Sequence, residues 1–167
     1  MDMRDLRQAM RQFNGFKGYF FADKKALNYL HQNGQEWNVN NLNGKMNALG
    51  LNRLIPDHQL LEVQQLLADK KVRQAVIEGD FQIFNFLLQD LSDLHLARFI
   101  VSKLLCAHRP DFFPIWDEQR VLIRNWCEEN PGISYLGLKQ KIDDYMILHE
   151  ITGMNYFYFN KLLWFCE

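Results

Sequence analysis

The stretch Ser102-Lys-Leu-Leu-Cys-Ala-His-Arg-Pro-Asp-Phe-Phe-Pro-Ile-Trp-Asp117 decides how this chain is read. Its first half continues an apolar run that begins at Leu94, so it predicts a central buried helix ending at Arg109-Pro110. Pro110 and Pro114 fix φ, remove two N–H donors and push the residue before each of them out of the helical region. The chain therefore crosses a short rigid turn and leaves it through Pro114-Ile-Trp onto Asp117, which is expected to open the next helix. A carboxylate held that firmly at a helix start is either a cap or a catalytic group.

Outward from this stretch, nearly every segment reads at helical period and none alternates like a strand. Helices are expected over Arg4–Phe13 and Asp23–Gln32, the latter with Leu27, Tyr29 and Leu30 inward. A third runs from Asn40 to Leu49-Gly50. Pro56-Asp57 starts a fourth, with Leu60, Leu61, Val63, Leu66 and Leu67 as a continuous apolar face. Val72–Glu78 is short. Asp80 caps a run through Phe81, Ile83, Phe84, Phe86 and Leu87, and Asp93 caps Leu94–His108. Amphipathic segments over Asp117–Glu129, Ser134–Ile151 and Asn155–Cys166 follow, punctuated by Asn130-Pro-Gly132 and Thr152-Gly153. The expected fold is all-α: residues 1–167 as one multi-helix domain of about nine helices, without linker or repeat.

A chain of 167 residues with 13 Phe, 4 Trp and 6 Tyr can bury one aromatic-rich core. Its formal net charge of −1 gives no overall electrostatic footprint for nucleic acid, so such a site would have to be a local patch. The cysteines Cys106, Cys127 and Cys166 are odd in number and lack CxxC spacing, which implies buried thiols in a reducing, cytoplasmic setting. The N-terminus has no apolar core of a signal peptide, and no apolar run reaches the roughly 20 residues of a membrane helix. His31, His58, His95, His108 and His149 show neither HExxH nor HxH spacing. With no GxSxG, Walker loop or GxGxxG either, no metal and no cofactor is expected.

Three constellations stand out. His95, Arg98 and Ser102 share one face of the otherwise apolar central helix, and buried polar groups must find partners. Asp117, just past the turn, is the expected one, paired with Arg98 first and Lys161 second. Arg4, Arg7 and Arg11 form a basic stripe with Lys17, Lys24 and Lys25 behind it, and Arg120 and Arg124 form a shorter one after Asp117. Tyr156-Phe-Tyr-Phe159 with Leu162-Leu-Trp164 reads as core of the last helix, or alternatively as a platform on which an extruded base stacks.

A buried helix, a Pro-containing turn, then Phe113-Pro-Ile-Trp-Asp117 opening another helix resembles the helix-hairpin-helix DNA glycosylase superfamily over about Leu91–Trp126. It is also similar to small bacterial helical proteins that carry comparable Ser-Lys-Leu-Leu and Asn-Lys-Leu-Leu-Trp segments. The resemblance implies a glycosylase-like helical bundle that contacts DNA, with Asp117 at the catalytic aspartate's position and Arg98 supporting it. Lys103, Arg120, Arg124, Arg4, Arg7 and Arg11 would meet the phosphate backbone. Two features depart from the family. Leu94-His-Leu-Ala97 has no hairpin glycines, and Arg98 stands about where bifunctional members carry a nucleophilic lysine. Arginine cannot lose its proton to become a nucleophile, so the chemistry implied is monofunctional base excision. The other reading of the same residues is a non-enzymatic helical protein-interaction module, in which Arg98 and Asp117 form a structural pair.

Overall fold

The computed structural model describes Gln8, Arg11, residues 39–94 and residues 96–166. Among them every regular element is helical. The α-helices are α1 (Val39–Ala48), α2 (Asp57–Leu67), α3 (Lys70–Glu78), α4 (Gln82–Asp90), α5 (Ala97–His108), α6 (Val121–Glu129), α7 (Tyr135–Leu148) and α8 (Tyr156–Cys166), with a 3-10 turn at Leu51–Leu54. All eight contribute buried apolar side chains to one cluster. No described helix is long and apolar enough to cross a membrane. The two helices expected before residue 33 lie outside the described residues, apart from Gln8 and Arg11, which are helical.

Local chemistry sets most boundaries. Asp69 caps α3 by accepting the Lys71 N–H at 2.7 Å, and Ser134 caps α7 by accepting that of Gly137 at 3.0 Å. Asp80 accepts the Gln82 N–H at 2.8 Å as α4 begins. Gly79 closes α3 with φ 79°. A Cβ there would lie 2.6 Å from the Phe112 ring, so this position needs glycine for conformation and for room. Beside it, Arg109 donates from Nη1 to the Val76 and Ile77 carbonyls, both at 3.1 Å, and lies 4.2 Å over the Phe112 ring. That cation satisfies the carbonyl end of α3 and fastens it to the turn after α5.

Three expectations are corrected. Asp93 does not cap the central helix: α5 begins at Ala97 behind Leu96. The Leu94 N–H bonds to the Leu91 carbonyl and the Ala97 N–H to the Leu94 carbonyl, so the chain passes through tight turns before the helix begins. Asp117 does not open a helix directly either, since α6 starts at Val121 after a turn. On α2, Leu61 is exposed while Gln64 is buried, donating to Asn43 Oδ1 at 3.0 Å. A partner across the helix interface makes that amide acceptable inside.

The centre is aromatic. Phe84, on α4, is fully buried between Trp116, stacked at 5.2 Å with 2° between the planes, and Tyr135, stacked at 4.3 Å. The Tyr135 hydroxyl donates to the Pro114 carbonyl, so the proline turn is tied to α7. Tyr156, Phe157, Phe159, Leu162 and Leu163 are buried, as a core reading of the last helix requires, and Trp164 is exposed.

His108 ends α5 partly buried. Burial first, then the charges of Lys45 and Arg109, push its pKa down from 6.5 to about 4. The unfolded chain therefore binds a proton between about pH 6.5 and about pH 4 that the native chain refuses. Its contribution to stability is present above that window and is lost as the pH falls through it. The urea midpoint should decline across this range in the wild type and decline less in His108→Gln. Equal slopes in the two proteins would mean that His108 is not responsible.

Candidate functional site

A cleft of about 630 Å³ opens between the 91–96 turn, the start of α5 and the 116–119 turn. Leu91, Leu94, Leu96 and Phe99 wall one side, and Arg98, Trp116, Asp117 and Glu118 face it from the other parts of its lining. The helix–turn–helix of α4 and α5 thus delivers one wall and the proline turn the other.

The proline turn is pinned from α5. Ser102 Oγ accepts the buried Trp116 N–H at 2.8 Å and donates to the Phe99 carbonyl at 3.2 Å. Ser102 does face the turn, as its place on the helix implies, but its partner is backbone and not Asp117. Ser102→Ala would leave the Trp116 N–H buried without an acceptor, a loss of about 1–3 kcal/mol. The urea midpoint should drop accordingly, while Ser102→Thr, which keeps the oxygen, should recover most of it. A midpoint unchanged in Ser102→Ala would mean that water replaces the hydroxyl.

Asp117 is only 7% exposed. Its Oδ1 accepts the Gln119 N–H at 3.1 Å, forming the turn that precedes α6. Its Oδ2 lies 3.3 Å from Arg120 Nε and 3.4 Å from the Asn160 amide nitrogen on α8. The Nε–H of Arg120 is not aimed along that contact, so charge rather than an aligned hydrogen bond holds the pair. Both side chains are about a tenth exposed, which shields the attraction from water.

The expected Arg98–Asp117 pair does not form. Arg98 reaches one residue further, to Glu118 Oε1 at 3.0 Å, with its guanidinium 4.9 Å over the Trp116 ring. The same Glu118 oxygen accepts from Trp116 Nε1 at 2.9 Å. The indole face and the carboxylate together suit a planar cation better than the carboxylate alone. With side chains 53% and 46% exposed, this ion pair contributes at most about 1 kcal/mol. Lys161 is likewise not the partner of Asp117 and sits 6.0 Å over the Phe157 ring.

The remaining candidates scatter. Lys103 packs 5.2 Å over Phe99, Arg124 is exposed on α6, and Arg11 is exposed. Arg4, Arg7 and His95 lie outside the described residues. Among the described residues the structure therefore brings Arg98, Asp117 and Arg120 to the 116–120 turn and gathers no basic surface around the cleft, whose described lining holds one cation, Arg98, and two carboxylates, Asp117 and Glu118, each paired with an arginine. Among the described residues no group of three His, Cys, Asp or Glu side chains is placed to hold a metal.

Two side chains that shape this turn, Glu118 and Asn160, escaped the sequence. Glu118 carries no sequence signal that separates it from the adjacent Asp117. Asn160 looked incidental within the aromatic run, although a lone amide on an otherwise apolar helix is a signal that a buried partner exists. No protein-family profile, no curated protein and no solved structure matches the chain.

Proposed function

We propose that the chain is a non-enzymatic helical binding module whose recognition site is the cleft beside Asp117. The observation that carries this reading is the occupation of Asp117: protein donors already meet both its oxygens, so it serves as the structural post of the turn. A carboxylate that must face a developing sugar cation needs a free edge toward it. The charge of the lining supports the same reading, because among the described residues its one cation, Arg98, is already paired with Glu118 and is not free to meet a phosphate backbone. The apolar wall of leucines and Phe99, opposite a planar indole, suits side chains of a protein partner.

A second reading is monofunctional base excision on the glycosylase-like frame, and the size of the cleft favours it. About 630 Å³ beside Asp117 has room for an extruded base. In that reading Asp117 stabilises the oxocarbenium charge or orients water at the sugar carbon, and Arg98, Lys103, Arg120 and Arg124 meet phosphates.

Incubation with duplexes carrying deaminated, oxidised and alkylated bases, with anisotropy on the same duplexes across a salt series, separates the two. The binding module releases no base and shows no salt-sensitive DNA affinity. Release of any base by the wild type, lost in Asp117→Asn, would overturn the proposal in favour of excision.

A further inference from the structure

A groove of about 460 Å³ lies between α2 and the turn that follows α4. Val63 and Leu66 from α2, with Leu91 and Leu94 from the turn, supply its apolar surface. Val63 and Leu91 are buried, and Leu66 and Leu94 are half-buried. Glu62 lines the groove from α2, and Asp90 and Asp93 from its other bank; all three are exposed. Among the described residues no lysine, arginine or histidine lines it. The groove adjoins the Asp117 cleft, since Leu91 and Leu94 line both.

The charge of this groove is uncompensated. Among the described residues, Glu62, Asp90 and Asp93 take part in no hydrogen bond or ion pair, whereas Asp69 and Asp80 cap helices and Glu118 holds Arg98. Asp93 is the acid expected to cap the central helix; that helix begins behind Leu96 without a side-chain cap, and the carboxylate lines the groove. Helix ends add an independent contribution. Asp90 is the last residue of α4 and Leu66 the last but one of α2, so two carbonyl ends, each partly negative, come to the groove. An acid at the end of α4 also opposes the dipole of its own helix, a position that favours a cation instead. Among the described residues no three acids, histidines or cysteines stand close enough together to hold a metal ion, so the charge is spread along the groove.

We infer that this groove docks a basic amphipathic segment of a partner protein. Leucine-like side chains of that segment seat on Val63, Leu66, Leu91 and Leu94, while its lysines or arginines meet Glu62, Asp90 and Asp93. Groove binding of an amphipathic segment uses this combination of an apolar seat and complementary charge at the edges. The same charge disfavours a nucleic-acid backbone or an anionic lipid surface. A polyamine would answer the carboxylates but leave four aliphatic side chains without an apolar counterpart. The inference does not depend on how the neighbouring Asp117 cleft is read.

The test is fluorescence anisotropy of the whole chain with a labelled amphipathic peptide of leucine and lysine. Saturable binding that weakens with salt is expected. Glu62→Gln, Asp90→Asn and Asp93→Asn together should weaken it about tenfold while the melting temperature holds or rises, because acids without partners, one of them at a helix end, only repel in the free protein. Glu128→Gln, Glu129→Gln and Asp144→Asn together make the same change of net charge on exposed acids of α6 and α7, and should leave affinity within about twofold. A peptide with serine in place of leucine, of equal charge, should bind about tenfold more weakly or worse. The inference is overturned by any of three results: no saturable binding at low salt, a groove variant that binds no more weakly than the α6/α7 variant, or equal affinity for the lysine–serine peptide, which would assign the groove to polycations without an apolar face.

Discussion

Phe84→Ala should lower the melting temperature on the order of 10 °C, the largest effect of any single truncation considered for this chain. Removing a buried phenylalanine costs about 3–5 kcal/mol through lost transfer energy and the cavity left behind, and each kcal/mol moves a domain of this size by about 2–4 °C. The site has little means of collapsing. Trp116 on one face is held by Ser102 through its backbone, and Tyr135 on the other through its hydroxyl at Pro114. Because Trp116 walls the cleft, the same change should alter tryptophan emission and loosen the site. Phe86→Ala, two residues away and exposed, should stay within about 0.5 kcal/mol of the wild type. Equal shifts in the two variants, measured by calorimetry, would remove Phe84 from its central place.

Asp117→Asn should come next, at about 2–3 kcal/mol. Breaking a well-made buried ion pair costs about 3–5 kcal/mol, and the off-line Arg120 contact places this one below that range. Asparagine keeps one oxygen for the Gln119 N–H, but its amide then meets two other donors, Arg120 and Asn160. Arg120→Gln should relieve part of the loss, so a double-mutant cycle should show coupling above about 0.5 kcal/mol. A catalytic aspartate behaves differently: removing its charge weakens transition-state binding and leaves the fold nearly intact. An unshifted melting curve in Asp117→Asn would therefore remove the structural role assigned to this side chain.

The helical class was legible because periodicity reports which face is buried, and the cap at Asp80 was legible because a short polar side chain before an apolar run has few other uses. The proline turn was legible for the same local reason. What could not be read was choice among equivalents. Asp117 and Glu118 are adjacent carboxylates, and only the path of the turn sends one inward to Arg120 and Asn160 and the other outward to Arg98. Asp93 failed as a cap because turns bonded between Leu91, Leu94 and Ala97, invisible in composition, delay the helix until Ala97. Leu61 and Gln64 on α2 exchanged places because an amide with a partner across the interface tolerates burial that periodicity assigns to leucine.

The guanidinium of Arg109 bears on how the molecule opens. It joins carbonyls more than thirty positions upstream to the turn that carries Trp116, so two stretches distant in the chain share one fastening. Neither can come loose alone without stranding a charge and the carbonyls it satisfies. The end of α3 and the proline turn should therefore exchange their amide hydrogens as one cooperative unit, and a disturbance at the cleft wall would reach solvent first through the far end of a helix that never touches it.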